Sequence, residues 1–219
     1  MTRAERYQAL HKHLTIVEIA AETELHYETP FQLLVAVVLS AQCTDKRVNE
    51  VAPKLFEAFP GPEFLAHANF EEVYPFIKSI SYPNNKTKHL IGLGKMLMDD
   101  FGGEVPDNRE ALQSLPGVGR KTANVLLAVL FDQPTMAVDT HVFRVSKRLG
   151  LVNQNVRTPL EVEQKLIQNI PKHLVAKADQ WMILHGRYTC VARDPQCDGC
   201  DVAQFCRFIE KKWQKGSRA

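Results

Sequence analysis

Leu115-Pro116-Gly117-Val118-Gly119-Arg120-Lys121-Thr122-Ala123 falls between two stretches of helical periodicity, with Pro116-Gly117-Val118-Gly119 as the hinge. Two glycines here allow positive φ and let the backbone come close to a ligand. The helix predicted to follow, Arg120 to Phe131, opens with unpaired amide hydrogens and the positive end of its dipole. That end suits a phosphate, and such a clamp holds a nucleic-acid backbone without reading its sequence. The same residues also read as a plain connection between two helices with a glycine stop, and a lone Gly-x-Gly does not choose between them.

Lys121 stands at the mouth of this hinge. An amine nucleophile must be partly neutral at working pH, and burial, a nearby cation such as Arg120 and a helix N-terminus each disfavour the ammonium form. The plain alternative is a lysine that only contacts phosphate. Downstream lies Ala137-Val138-Asp139-Thr140-His141-Val142-Phe143-Arg144. Asp139 reads as the N-cap of a helix ending near Gly150, its carboxylate accepting an amide hydrogen. A cap carboxylate can also stabilise the positive charge that develops as a glycosidic bond breaks, or relay protons around a lysine. The two roles are compatible.

Moving outward, the pattern stays helical, and no sustained period-two alternation marks a strand. Thr29-Pro30 precedes the apolar run Phe31 to Leu39, which reads as a helix with Pro in its first turn, continuing into Ser40-Ala41-Gln42. Its β-branched content also fits a buried strand, but no break signal follows the run. Asp107-Asn108-Arg109-Glu110 is a capping-box pattern opening a short helix toward Ser114. Thr158-Pro159-Leu160-Glu161 repeats it, and Gly150 after Lys147 and Arg148 marks a helix end. The expected fold is all-α, with roughly ten helices.

The cysteines are lopsided: Cys43 stands alone, and four fall in Cys190-x6-Cys197-x2-Cys200-x5-Cys206. Four thiolates in one tight loop can wrap a metal centre. Zinc usually recruits two separated pairs, so the spacing favours an iron–sulfur centre over zinc without excluding it. The N-terminal stretch Met1 to Leu14 has no apolar signal core, so no export is expected. The longest apolar runs, Leu33–Leu39 and Val125–Phe131, are far shorter than the roughly 20 residues that cross a bilayer. With 45% hydrophobic and 24% charged residues the chain reads as globular rather than disordered. Net charge is only +2, but Arg120, Lys121, Arg144, Lys147 and Arg148 crowd one stretch. The last thirteen residues carry Arg207, Lys211, Lys212, Lys215 and Arg218 against Glu210. These read either as a nucleic-acid footprint or as solvated faces with a basic tail.

Together, Leu115–Ala123, Val138-Asp139-Thr140-His141 and Leu184-His185-Gly186-Arg187-Tyr188-Thr189-Cys190 with the four-cysteine loop closely resemble the endonuclease III family of helix–hairpin–helix DNA glycosylases. The resemblance runs from about Phe31 to Cys206. It implies two helical lobes flanking a DNA-binding cleft. One is a six-helix lobe over 23–133 that ends in the hairpin; the other joins 134–219 to 1–22 and holds a four-iron, four-sulfur (4Fe-4S) cluster on Cys190, Cys197, Cys200 and Cys206. It further implies that Lys121 is the nucleophile and Asp139 its catalytic partner. Leu39-Ser40-Ala41-Gln42-Cys43-Thr44-Asp45 matches the segment whose glutamine, here Gln42, fills the gap left by an extruded base. Ser79-Ile80-Ser81-Tyr82-Pro83-Asn84-Asn85-Lys86 matches the wedge loop, with Tyr82 where relatives often carry an aliphatic residue. Tyr82 reads either as a stacking side chain or as a packed loop aromatic. Gly117, Gly119, Arg120, Thr140, His141, Arg144, Arg187 and Arg193 complete the implied DNA contacts. Asp194, Asp198 and Asp201 leave the cysteine loop less basic than in many relatives. Cys43 reads as packing.

The implied activity is a bifunctional DNA glycosylase with lyase activity at apurinic or apyrimidinic (AP) sites, removing oxidised pyrimidines in base excision repair. Its partner is double-stranded DNA carrying a damaged pyrimidine or an abasic site. The chain is expected to act as a monomer, cytoplasmic and chromosome-associated, with no membrane role. Two alternatives stand beside this: a pyrimidine-dimer glycosylase, and a non-catalytic DNA-binding iron–sulfur module. The presence of both Lys121 and Asp139 argues against the second, since a pure binder needs neither.

Overall fold

The structure, a computed structural model, describes residues 1–19 and 23–209. Glu210, Lys211, Lys212, Lys215 and Arg218 of the basic tail lie outside the described residues. Among the described residues there are eleven α-helices and two short 3-10 turns, and no strand. The chain divides into two compact units, Thr23–Phe131 and Met1–Glu22 with Asp132–Ala219.

The unit Thr23–Phe131 is built around α2 (Pro30–Ser40). Thr29 caps this helix by accepting from the Gln32 amide, and Pro30 occupies its first turn, as its sequence predicts. Every residue from Phe31 to Leu39 is buried, so the helix has no solvent face and forms the middle of the core. Each buried Leu or Val contributes about 1.5–3 kcal/mol relative to exposure. Gln32, the one polar residue of the run, is satisfied because its Oε1 accepts from the Glu28 amide at 2.7 Å. Helices α3 (Asp45–Ala58), α6 (Pro83–Phe101) and α8 (Arg120–Phe131) pack on α2. The short α4 (Pro62–His67), α5 (Phe70–Ile77) and α7 (Arg109–Ser114) complete the unit. It thus carries seven α-helices where the resemblance implied six.

Two boundaries differ from the sequence expectation. Helix α2 ends at Ser40 instead of running through Gln42: Ala41 turns extended (ψ 115°) and Gln42 takes φ 55°. The Cys43 amide donates to the Ser40 carbonyl at 2.9 Å, closing a β-turn there. The cap of α7 is Asn108, not Asp107; its side chain accepts from the Ala111 amide at 2.9 Å. Asparagine offers the same acceptor one residue later, and sequence spacing alone does not separate the two.

The other unit contains α1 (Arg3–Ile16), α9 (Thr140–Leu149), α10 (Pro159–Asn169) and α11 (Val175–Tyr188). Its core gathers Leu10 and Leu14 of α1, Val142, Val145 and Leu149 of α9, Val162 and Leu166 of α10, and Met182 of α11. Thr158, Pro159 and Glu161 form the predicted capping box of α10, and Gly150 closes α9 at φ 81° behind Lys147 and Arg148. His13 meets Trp181 edge-on (ring centroids 5.1 Å apart) and His185 stacks on the same indole (4.7 Å), tying α1 to α11. Among the described residues no helix is long and apolar enough to cross a membrane.

Candidate active site and cysteine loop

In the unit Thr23–Phe131, the hinge ahead of α8 is a tight turn whose Val118 amide donates to the Leu115 carbonyl at 3.1 Å. Pro116 in the second place and Gly117 at φ 82° in the third are the signature of a type II turn. Leu115 and Val118 anchor it from inside, both buried. A Cβ on Gly117 would lie 3.0 Å from His89 Nδ1 and 3.1 Å from Val38 Cγ1, so the position is constrained by conformation and by space. Gly119 differs from the expectation: its φ is not positive, and a Cβ there meets nothing within 4 Å. The chain has already turned at Gly117, and the Gly119 carbonyl accepts the first helical bond of α8, from the Ala123 amide at 2.9 Å. What Gly119 leaves is open space outside the chain.

Lys121 is the second residue of α8 and is exposed, as are Gly117 and Gly119, while Arg120 is half-buried. The sequence reading pictured Lys121 as a desolvated side chain, whereas the structure leaves it exposed. Two further turns of the same unit present exposed side chains from unusual backbone. Gln42 and Tyr82 both hold φ near the left-handed region, 55° and 57°, without being glycine. Tyr82 is 61% exposed, so the packed-aromatic alternative does not hold for it. Cys43 packs against the core, as expected.

In the other unit, Asp139 caps α9: Oδ1 accepts from the His141 amide at 2.7 Å and the Val142 amide at 2.8 Å. Thr140 is exposed and His141 half-buried. α9 and α11 touch where a Cβ on Gly186 would come within 2.7 Å of His141 Cβ, which explains the glycine in the Leu184–Cys190 motif. Arg144 spends its guanidinium inside the unit. Nε donates to the Cys190 carbonyl (3.0 Å), Nη2 to the Gly186 carbonyl (2.8 Å), and Nη2 lies 3.1 Å from His141 Nδ1. Of the arginines expected at DNA, Arg193 is exposed, Arg187 is half-buried with partners of its own, and Arg144 is turned inward.

The cysteine loop follows α11, and Arg148 holds both of its limbs. Its Nη1 donates to the Val191 carbonyl (2.7 Å) and approaches Cys190 Sγ (3.4 Å), and Nη2 donates to the Ala192 carbonyl (2.9 Å). The same guanidinium stacks over Phe208 beyond the last cysteine, and Cys206 Sγ faces the Arg148 carbonyl at 3.6 Å. Arg6 of α1 donates to the Phe205 carbonyl. Sequence reading saw Arg148 only as a cation at a helix end; no local pattern reveals a partner forty residues away.

None of the four loop cysteines is paired in a disulfide. Burial pushes the Cys200 and Cys206 thiols up, and neighbouring loop cysteines push both further by like charge. Amides of Ile209 and Phe208 facing Cys206, and of Val202 facing Cys200, act the other way. Among the described residues no group of three or more His, Cys, Asp and Glu side chains is disposed to hold a metal ion as it stands. The donor set nevertheless fits an iron–sulfur cluster: four soft thiols with amide donors facing two of them.

Residues 35–172 match the HhH-GPD superfamily base excision DNA repair protein family. The chain is 47% identical to endonuclease III of Bacillus subtilis (strain 168) over 196 residues, 90% of this chain and 89% of that relative. It is 44% identical to endonuclease III of Escherichia coli (strain K12) over 190 residues, 86% of this chain and 89% of the relative. The structure resembles that of a trapped endonuclease III–DNA covalent intermediate, with TM-score 0.89 and 43% identity, covering 97% of this chain and all of that one.

Proposed function

The chain belongs to the endonuclease III family of the HhH-GPD superfamily of base excision DNA repair proteins, and from that premise we propose Lys121 as the nucleophile of its reaction. The protein is a bifunctional DNA glycosylase and AP lyase acting on double-stranded DNA. Its substrates are oxidised pyrimidines and abasic sites, met on the cytoplasmic chromosome. The observation that carries the assignment of Lys121 is its exposed place in the first turn of α8, directly behind the Pro116-Gly117 turn.

A damaged pyrimidine is unstacked from the duplex at a cost of about a few kcal/mol, least where pairing is already distorted. Gln42 enters the gap it leaves and Tyr82 enters from the wedge turn. Backbone amides of Gly119 to Lys121, at the N-terminus of α8, hold phosphate, which positions the strand without reading its sequence. Unprotonated Lys121 Nζ attacks C1′ of the deoxyribose. The C1′–N bond breaks, and the base leaves with that electron pair and takes up a proton. The attached lysine nitrogen loses a proton and then donates its lone pair as the C1′–O4′ bond opens, O4′ taking up a proton, which gives a Schiff base. Loss of a C2′ proton breaks the C3′–O bond, and the strand is cut on the 3′ side. Water hydrolyses the imine and restores the amine.

Asp139 supplies a carboxylate for the positive charge that builds on the sugar as the base leaves. Its Oδ1 is occupied by two amides of α9, which supports a fixed carboxylate orientation. Cys190, Cys197, Cys200 and Cys206 hold a 4Fe-4S cluster, which supplies structural support to the loop carrying Arg193; no step of the reaction passes through it.

The test is borohydride trapping on a duplex with thymine glycol, wild type beside Lys121→Gln. A covalent adduct is expected from wild type only. An equal adduct from Lys121→Gln would move the nucleophile elsewhere.

A further inference from the structure

Lys86, in the first turns of α6, is 5% exposed, and sequence reading gave it no role. Its Nζ donates to the Leu39 carbonyl at 2.8 Å and to the Ala41 carbonyl at 2.7 Å. These are end carbonyls of α2, which have no partner within the helix. The backbone amide of the same residue donates to the Tyr82 carbonyl at 3.1 Å. One residue is therefore bonded on one side to Ala41, the neighbour of Gln42, and on the other to Tyr82.

Both residues at the ends of this link hold left-handed backbone that only glycine adopts without cost. Gln42 is at φ 55° in the third place of the Ser40–Cys43 turn, where glycine or asparagine is usual. Tyr82 is at φ 57° and ψ 50°, heading α6 with no side-chain cap. Such conformations persist only where the surroundings over-determine them. A buried ammonium is itself unfavourable, and burial pushes Lys86 down from the usual lysine range, with the Cys43 sulfur acting the other way. An apolar side chain here would avoid that cost but would leave both carbonyls unmet.

We infer that Lys86 is a positioning residue that locks the Gln42 turn and the Tyr82 turn into one rigid element, so that both side chains enter lesion-bearing DNA together. The inference rests on the reading of Gln42 and Tyr82 as the residues that enter the duplex. It goes beyond that reading by making their action a joint property set by a third residue.

The experiment is a double-mutant cycle on the full protein. Affinity is measured for a duplex with a tetrahydrofuran abasic analogue and for the undamaged duplex, with Lys86→Met, Gln42→Ala, Tyr82→Ala and their pairs. Lys86→Met is expected to lower the preference for the analogue about tenfold, and adding either alanine should lower it by less than about twofold more. For Lys86→Met alone, the fraction of protein trapped by borohydride on saturating abasic DNA should stay at the wild-type level, which a general loss of folded protein would not allow. Lys86→Gln, which keeps a shorter, uncharged amide donor group, should fall between and serves if Lys86→Met does not fold. Full preference in the Lys86 variants, or plain additivity with Gln42→Ala and Tyr82→Ala, overturns the inference while leaving the reading of those two residues standing. If Gln42→Ala and Tyr82→Ala are each silent, that reading fails and the inference fails with it.

Discussion

The turn at Leu115–Arg120 and the loop from Cys190 to Cys206 are both short irregular segments, and they are held in opposite ways. The turn is fixed from beneath by Leu115 and Val118, both buried, and by a glycine whose missing side chain makes room for His89 and Val38. Its polar backbone faces outward. The loop has Val202 and Phe205 beneath it, but its limbs are tied by arginine side chains: Arg144 and Arg148 to the Cys190–Ala192 limb, Arg6 and Arg148 to the far limb. An apolar anchor is non-directional and keeps its strength without any ligand. Guanidinium bonds to loop carbonyls fix direction, but each has a modest net value in partly wet surroundings. The turn should therefore be a finished surface at rest, whereas the loop should depend on what its thiols hold.

The hardest blow to that contrast is to remove a thiol. Cys206→Ala should strip nearly all bound iron and open the 190–206 stretch to protease, because the binding free energy of a structural metal centre is folding free energy. Hydrogen exchange in α2 and α8 should stay at wild-type protection. If those helices lose protection equally, the two regions do not differ in the way argued. Next in size, Gly117→Ala attacks the turn, since it strains a φ of 82° and presses a methyl on His89 and Val38. A loss of about 2–4 kcal/mol in urea unfolding is expected, with iron content unchanged. Smaller again, Arg148→Met removes the bonds to Val191 and Ala192 and the stacking on Phe208. It should cost about 1–3 kcal/mol. Iron loss to a chelator should speed up several-fold, while Arg148→Lys, which cannot span both carbonyls, should recover only part. An unchanged rate of iron loss would show that the arginine clamp is ornamental.

What sequence made legible follows the range of the interactions. Caps act within three or four residues, so Asp139, Thr158 and Gly150 could be read directly, and each marks the helix end its position foretold. The apolar run at 31–39 announced its own burial. The end of α2 was not readable, because one of its end carbonyls, that of Ala41, is met by Lys86, 45 residues away. Arg144 was expected at DNA for its charge, but its partners at Gly186 and Cys190 exist only once α9 and α11 have packed. Lys121 illustrates the same limit from the other side: its place at the start of α8 was clear, its exposure was not.

Gly119→Ala should produce the smallest change in the fold and is the sharpest probe of the turn's outer face. The residue needs no positive φ, and a methyl there touches nothing in the protein. Its carbonyl opens α8, where glycine is favoured over alanine by only about 0.5–1 kcal/mol, so thermal unfolding should shift by no more than a few degrees. If glycine is present because a phosphate must approach the backbone, the methyl projects into that approach. DNA affinity should then fall several-fold, and by the same factor for damaged and undamaged duplex, since backbone contacts carry no sequence or lesion information. A fall confined to damaged duplex would place Gly119 beside the base instead of the phosphate. No fall at all would mean that nothing comes close at this position, and the phosphate clamp at the start of α8 would have to rest on the Gly117 turn alone.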